Sequence, residues 1–244
     1  VYFDLVTLEG TITVRNYVVG RDFVLIAWQG GPNLYIGNNP QSDGITATLP
    51  GARADWWGGY HDWITMAEMA EKRQLKPSEV SRFYSRQAWR FMLAQPRRAA
   101  MLMTQKFLYF WNQAEIPNPT NPYFFARRYG PITRWLPLHF GILAPPALVG
   151  LWLSRREAVR LFPLWGFGLV YMATVVAFFV TGRFRLPVVP ILMVYAAYGL
   201  VRVMAAVRRR EWRVAVGGAA AAALLWPVVN TGVPASYIED PGAY

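Results

Sequence analysis

The sequence predicts a membrane protein that is mainly α-helical, with about four transmembrane helices following a small α+β region and an interfacial helix. Two observations lead to this class. Hydrophobic residues make up 54% of the chain, and in its second half they form apolar runs long enough to cross a bilayer as helices. The net charge is +11, with arginines flanking those runs. Apolar spans with arginine-rich flanks are typical of integral membrane proteins.

Composition also excludes several classes of protein. Nucleic-acid binders are often as basic, but they rarely carry apolar runs of this length, so no nucleic-acid partner is expected. The chain has no cysteine, which excludes disulfides and thiolate metal sites. No basic flank followed by an apolar core is visible at its start, so no signal peptide is expected. The chain is interpreted as a processed product, a part of a longer protein or an independent subunit.

Residues 1–135 are expected to lie outside the bilayer, with a strand element at about residues 14–60. Residues 1–13 are apolar but contain Asp4 and Glu9, so they are too short and too charged to span, although they could end a preceding membrane helix. Residues 23–28 read as a strand closed by glycine and proline. The polar cluster at 38–44 is either an Asx-rich turn or a set of oxygen ligands, although it lacks the carboxylate spacing of a calcium loop.

Helices are predicted at about residues 78–112. Ser78 is a suitable N-cap for a helix that runs to about residue 95, and Pro96 begins a second helix. The apolar part of this second helix surrounds a lone Lys106 and is too short to cross a bilayer. It is therefore either an amphipathic helix at the membrane interface or a helix that packs on the strand element. A proline-rich linker follows, to about residue 131.

Four apolar segments of membrane length are predicted within residues 136–230, at about 136–153, 161–180, 188–207 and 214–229. Pro145 and Pro146 should kink the first of them. The last contains Gly217, Gly218 and a run of alanines, a small-residue surface that lets helices approach closely. Residues 231–244 would form a tail outside the membrane.

The arginines orient these spans. The turns after the first and third spans hold eight of them, which places both turns in the cytoplasm: Arg155, Arg156, Arg160, Arg202, Arg208, Arg209, Arg210 and Arg213. The opposite side also carries arginines, so the bias is moderate. It places residues 1–135, the turn between the second and third spans, and the tail on the outer face.

That turn, residues 181–190, contains Arg183 and Arg185 between two long apolar runs. Arginine holds phosphate oxygens through a rigid fork of donors, and lipid phosphates lie at the height where the turn would emerge. The pair could therefore clamp a lipid phosphate. Alternatively, the two side chains only anchor helix ends by reaching to the headgroups. Spacing leaves both interpretations open.

No catalytic constellation is found. His61 and His139 lie far apart and have no partner at metal-ligand or triad spacing, so no metal site is predicted. No glycine-rich phosphate loop with its lysine is present, and no cofactor is predicted. A few carboxylates could serve as a general base, and nothing ranks one above another: Asp55, Asp62, Glu68 and Glu115.

Several segments within residues 14–200 together suggest a family. They are residues 14–20, 22–26, 30–31, 33–40, 43–44, Pro96, Lys106 with 107–111, Glu115, 182–187 and Pro190. In order and spacing they resemble the outer-face region of bacterial GT-C membrane glycosyltransferases, the protein mannosyltransferase-like enzymes related to the lipid A aminoarabinose transferases. The sequence Gly-Arg-Phe-Arg-Leu-Pro at 182–187 is similar to that family's Arg-aromatic-Arg-x-Pro turn.

This resemblance implies an enzyme that transfers a sugar from a polyprenyl-phosphate carrier, in the bacterial inner membrane and with its amino-terminal region in the periplasm. It implies that Arg183, Arg185 and Lys106 face the carrier phosphate. The family's catalytic carboxylate and several further spans precede the region matched here. The chain therefore resembles a carboxyl-terminal half that would not catalyse transfer alone.

A second hypothesis is structural. The chain would be a non-catalytic subunit, derived from such an enzyme, of a larger integral membrane complex. Its partners would then be other membrane subunits, docked on the aromatic outer region and on the small-residue last helix.

Overall fold

The computed structural model describes residues 2–118, 123, 130 and 139–231, which are mainly helical and contain no strand. Ten α-helices are described: α1 (Tyr2–Gly20), α2 (Gly30–Gly37), α3 (Trp56–Glu71), α4 (Pro77–Ala94), α5 (Pro96–Trp111), α6 (Phe140–Leu153), α7 (Phe162–Ala177), α8 (Gly182–Arg185), α9 (Val189–Arg208) and α10 (Trp212–Val229). The chain divides into two compact units, Val1–Leu102 and Met103–Tyr244. The mainly α-helical class is confirmed.

The strand element predicted at residues 14–60 is absent from this described part of the chain. Residues 14–20 belong to α1, and residues 30–37 form α2. Residues 23–28 fold back on α1 through side-chain bonds, such as that from Asn16 Nδ2 to the carbonyl oxygen of Val24 (3.0 Å), instead of a ladder. Pro32 lies in the first turn of α2, where its missing N–H costs no helical hydrogen bond. The prediction was wrong because the apolar run lacks a strand partner.

In the first unit, α2 and α3 pack on α4. Gly31 makes the α2–α4 contact possible, because a Cβ there would overlap the backbone of Ser81. The buried apolar core consists of Trp28, Ile36, Ile45, Leu49, Trp63, Ala67, Val80, Tyr84, Ala88, Phe91, Ala99 and Leu102. Asp22 fixes the start of α4, since its carboxylate accepts a hydrogen bond from the Ser78 amide (2.8 Å). The two helices predicted at 78–112 are observed as α4 and α5.

The polar cluster at 38–44 is built as an Asx-rich turn. The Asp43 carboxylate accepts hydrogen bonds from the amides of Ile45 (2.9 Å) and Thr46 (2.8 Å). The buried Asn38 and Asn39 amides donate to carbonyls at the end of α2. These bonds satisfy the free carbonyls of a helix end, so they explain the polar residues without a cation.

In the second unit, α6, α7, α9 and α10 form a bundle whose helices alternate in direction. α6 packs mainly on α9 and also on α10. Glycines allow the closest approach: a Cβ on Gly150 would overlap the Tyr195 carbonyl oxygen, and one on Gly199 would lie 2.6 Å from the Pro146 carbonyl oxygen. A Cβ on Gly218 of α10 would lie 2.7 Å from a side-chain methyl group of Val203.

Two of the four predicted spans meet the length and composition expected of a membrane-crossing helix within the described ranges. These are the helical stretches Gly182–Arg208, with 27 residues, and Trp212–Val229, with 18. α6 and α7 are apolar but shorter, with 14 and 16 residues. α7 ends at Ala177, three residues before the end predicted for its span, and residues 136–138 of the first predicted span lie outside the described residues.

The surfaces of α9 and α10 are strongly apolar and largely unburied. Their exposed side chains include Met193, Leu200, Val201, Met204, Val216, Leu224 and Trp226. A soluble protein rarely exposes so extensive an apolar face, whereas a helix in lipid requires one. The division of the chain at 102/103 is a division by internal packing and does not locate the membrane. The membrane boundary predicted at 135/136 therefore stays a prediction. Except for Thr231, the predicted tail lies outside the described residues.

Candidate functional site

The residues 112–116, called here the connector, cross one end of the bundle. The Gln113 amide donates to the Val229 carbonyl oxygen at the end of α10 (2.8 Å). The Gly182 amide, at the start of α8, donates to the Ile116 carbonyl oxygen (2.9 Å). This connector end therefore holds the start of α6, the ends of α7 and α10, and the arginine turn. The arginine-rich turns after α6 and α9 lie at the opposite end.

Arg185 is the centre of the connector end and is only 1% exposed. Its guanidinium donates to the carbonyl oxygens of Asn112 and Ala114, the latter at 2.7 Å. It also pairs with Glu115 Oε1 at 3.2 Å and lies 4.5 Å above the Phe140 ring. A planar fork of five donors suits this set of acceptors, so Arg185 fixes the connector to the turn.

Lys106 is fully buried on α5 and bonds to the same region. Its Nζ donates to the carbonyl oxygen of Phe178, the residue that follows α7 (2.8 Å). Burial lowers the pKa of Lys106 to about 7, because the charged form is poorly solvated there. Lys106 therefore holds the end of α7 against α5.

Arg183 differs from the other two predicted phosphate ligands because it is exposed. Its guanidinium lies 5.3 Å from the centre of the Phe184 ring. No hydrogen bond or ion pair joins it to any residue that the structure describes. The structure thus brings Arg183 and Arg185 into one turn and gives them different surroundings. Whether these residues and Lys106 contact a phosphate stays a prediction.

Glu115 is a site residue that the sequence offered only as one of four unranked candidate bases and as part of the GT-C resemblance. Its side chain is 44% exposed, and a Cβ on Gly182 would overlap its Oε2 atom, so the carboxylate lies directly over that glycine. A further signal in the sequence was its isolation, since Glu115 is the sole acidic residue between Glu79 and Glu157. Only the crossing of the connector over the turn pairs it with Arg185.

Two polar atoms of this turn are buried without a hydrogen-bond partner among the described residues. They are Thr181 Oγ1 and Arg185 Nε. Buried polar groups are nearly always paired, and an unpaired one loses the solvation of water without compensation. Both lie within the turn that carries Arg183, so the turn retains hydrogen-bonding capacity that the described protein atoms do not use.

The other candidate carboxylates have structural roles. Asp55 caps α3 by accepting from the Gly58 amide (2.7 Å). Asp62 pairs with Arg53 (2.9 Å), whose hydrogen bond lowers the pKa of that carboxyl. Glu68 accepts from the Leu75 amide (2.9 Å).

The two histidines lie in separate parts of the fold. His61 makes an edge contact with the Tyr60 ring, with centres 5.8 Å apart, and His139 precedes α6. No group of three or more potential metal ligands occurs among residues 2–118, 123, 130 and 139–231.

An apolar cavity of about 160 Å³ lies between α6, α7, α9 and the end of α5. It extends from Trp111 and Val188 near the connector end to Leu151 and Trp165 near the opposite end. Its wall is almost wholly hydrocarbon.

Comparisons with known proteins leave the function to be argued from this geometry. No protein-family model, no characterised protein and no solved structure matches the chain. The GT-C resemblance accordingly remains a hypothesis carried by sequence segments, and the connector end is the feature against which it can be tested.

Proposed function

We propose that the chain is the carboxyl-terminal half of a membrane glycosyltransferase that uses a polyprenyl-phosphate sugar, and that its connector end binds the phosphate of the carrier lipid. The observation that carries this proposal is Arg183: its exposed guanidinium has no polar partner in the described protein, and its turn is fixed by buried Arg185. A guanidinium held in place loses little entropy on binding a phosphate.

The membrane arrangement of this proposal includes α6 and α7 as spans. At about 1.5 Å per residue, their 14 and 16 residues reach about 21 and 24 Å. They are roughly 9 and 6 Å shorter than an average hydrocarbon core of about 30 Å, a mismatch that flanking residues and local thinning of the bilayer can absorb. Exposed Trp152, Phe167, Leu169 and Val170 give both helices a lipid-compatible face.

The arginine-rich end then faces the cytoplasm, and the connector end faces the periplasm of a bacterial inner membrane. The apolar cavity begins beside Trp111, whose neighbour Phe110 accepts a weak hydrogen bond from Arg185 (3.4 Å). A hydrocarbon chain entering this cavity would leave its phosphate close to the arginine turn. The chain alone would not catalyse transfer, since the resemblance assigns the catalytic carboxylate to an amino-terminal half.

The test measures binding of a polyprenyl monophosphate to the purified chain in nanodiscs, with the uncharged polyprenol as the control lipid. We expect Arg183→Gln to weaken binding of the phosphate at least about tenfold and to leave polyprenol binding unchanged. Arg209→Gln, an exposed arginine at the opposite end, is the matched control and should bind as the unaltered chain does. Equal phosphate affinity in the Arg183→Gln variant would reject the proposal.

A second candidate function is a structural subunit of a larger membrane complex. The observation that favours it is the outer face of α10, where a Cβ on Gly217 would meet no atom within 4 Å. Small residues on such a face allow another helix to approach. A Gly217→Leu variant that dissociates a complex isolated from native membranes, while phosphate binding is absent from the unaltered chain, would favour this subunit over the enzyme.

A further inference from the structure

A polar pocket of about 150 Å³ lies in the first unit, between the end of α3, the loop that follows it and the first three turns of α4. A cavity of about this volume takes a ligand of about six non-hydrogen atoms, so it suits a small ion. Three arginines, two glutamates and two apolar side chains line it: Glu71, Arg73, Leu75, Glu79, Arg82, Phe83 and Arg86. The connector end belongs to the second unit, so this pocket is a separate candidate site.

Two of the arginines are held by carboxylates of the pocket wall. Arg73 Nη2 lies 2.9 Å from Glu79 Oε1, and Arg86 Nη2 lies 2.9 Å from Glu71 Oε1. Each pair uses one terminal nitrogen of its guanidinium, which has five N–H donors in all. Arg73 Nη1 makes only a long bond, to the carbonyl oxygen of Gln74 (3.4 Å). Within the described residues, both arginines therefore keep donors that a ligand can use.

Arg82 is the third arginine of the pocket, and the fold alone does not explain its position. Its side chain is exposed, and no hydrogen bond or ion pair joins it to any residue in the described ranges. Arg82 lies four residues before Arg86, and side chains at this spacing are neighbours on one helix face. Like charges at this spacing repel each other and destabilise a helix. An anion bound between the two guanidiniums would replace this repulsion by attraction.

The charge around the pocket also favours an anion. Residues 71–90 contain six basic side chains and two acidic ones, and both acids are paired with arginines of the pocket. Guanidinium groups bind oxyanions through forked hydrogen bonds. A tetrahedral oxyanion accepts hydrogen bonds from three sides, whereas the two oxygens of a carboxylate lie in one plane. Three guanidiniums around one pocket therefore suit a phosphate better than a carboxylate.

We propose that this pocket binds a phosphate group, with Arg82 as its main ligand and with Arg73 and Arg86 as flanking ligands oriented by the glutamates. The inference does not depend on the proposed function, because every residue that carries it belongs to the first unit. Inorganic phosphate and a lipid with a terminal phosphate offer the same chemistry to these arginines, and the experiment separates the two sources.

The experiment titrates the purified full chain with inorganic phosphate, in a maltoside detergent that contains no phosphate, and measures the heat of binding. Arg82→Gln should weaken binding at least about tenfold. Arg90→Gln is the matched control, because Arg90 is exposed on the same helix but does not line the pocket, and it should bind as the unaltered chain does. Binding that is absent from the unaltered chain, unchanged in Arg82→Gln or equally weakened in both variants would overturn the proposal.

Arg82→Lys is a second variant that keeps the charge and loses the fork of donors. It should bind phosphate more weakly than the unaltered chain and more tightly than Arg82→Gln. Equal unfolding midpoints for the three chains would show that the losses arise from binding and not from unfolding. Arg82→Lys that binds no more tightly than Arg82→Gln, at equal midpoints, would contradict a ligand held by charge.

Two further probes identify the source and the class of the anion. Dihexanoyl phosphatidic acid, a short-chain lipid with a terminal phosphate, should bind at least about tenfold more tightly than inorganic phosphate if the ligand is a lipid headgroup, and equally if it is a soluble phosphate. Either result supports the pocket when the binding depends on Arg82. Succinate that binds as tightly as phosphate, with the same dependence on Arg82, would reject the phosphate assignment.

Discussion

At the residue scale, Arg183 and Arg185 of the turn have different surroundings and different roles. Arg185 is almost fully buried and bonded to the connector, whereas Arg183 is exposed beside Phe184. Their sequence environments are nearly the same, so spacing predicted a common role. The difference arises because the connector crosses only one side of the turn and supplies its carbonyls to that side.

Replacing Arg185 should therefore destabilise the fold, while replacing Arg183 should not. Arg185→Met leaves the carbonyl oxygens of Asn112 and Ala114 buried without their donor, and the expected cost is about 3–5 kcal/mol. Arg183→Met should stay within about 0.5 kcal/mol of the unaltered chain. Thermal unfolding in nanodiscs measures both, and equal stabilities for the two variants would contradict the assigned role of Arg185.

Lys106 should make stability depend on pH. Its pKa is about 7 in the folded chain and near 10.5 when unfolded, so between these values the unfolded chain binds more protons. Stability contributed by this group therefore rises with pH from about 7 to about 10.5, by a few kcal/mol at most. Thermal unfolding midpoints measured at pH 7 and pH 9.5 should show this rise in the unaltered chain and a smaller rise in the Lys106→Met variant. An identical pH dependence in that variant would show that the lysine is not poorly solvated.

At the element scale, glycines decide how closely the bundle helices cross. Gly150 of α6 faces the backbone of α9 at Tyr195, with no space for a methyl group. Close approach is the main source of attraction between helices in lipid, where apolar burial is not a driving force. The open glycine of α10, Gly217, has no such neighbour.

Gly150→Ala should accordingly push α6 away from α9 and lower the unfolding midpoint, at a cost of about 1–3 kcal/mol typical of overpacking. Gly217→Ala is the matched control in the same bundle and should leave the midpoint unchanged or slightly raised. Thermal unfolding in the same nanodiscs gives the midpoints of the two variants for comparison. A Gly150→Ala chain as stable as the control would mean that the crossing is looser than described.

At the scale of the whole molecule, alternating helices place the arginine turn and the arginine-rich turns at opposite ends of the bundle. The eight arginines after α6 and within and after α9 predict that their end faces the cytoplasm. Because the chain contains no cysteine, single cysteines report the side of the membrane without background.

A membrane-impermeant maleimide added to intact cells should label Arg183→Cys and leave Arg155→Cys unlabelled until the membrane is permeabilised. Arg209→Cys is the second inner-side probe and should behave like Arg155→Cys. Labelling of Arg155→Cys but not of Arg183→Cys from outside would reverse the orientation. Labelling of both from one side would contradict the alternation of the four helices.

The sequence by itself determined the helical membrane class, the helices at 78–112 and the placing of two arginines in one turn. These depend on properties read locally: apolar run length, proline position and charge. Only the tertiary structure decided that residues 14–60 contain no strand, that α6 and α7 are short, and that Arg185 pairs with Glu115. The last of these follows from a contact between residues distant in the chain, since Arg185 lies 71 residues beyond Ala114. Local sequence patterns cannot specify such a pairing, because an arginine and a glutamate suit a solvated surface as well as a buried ion pair.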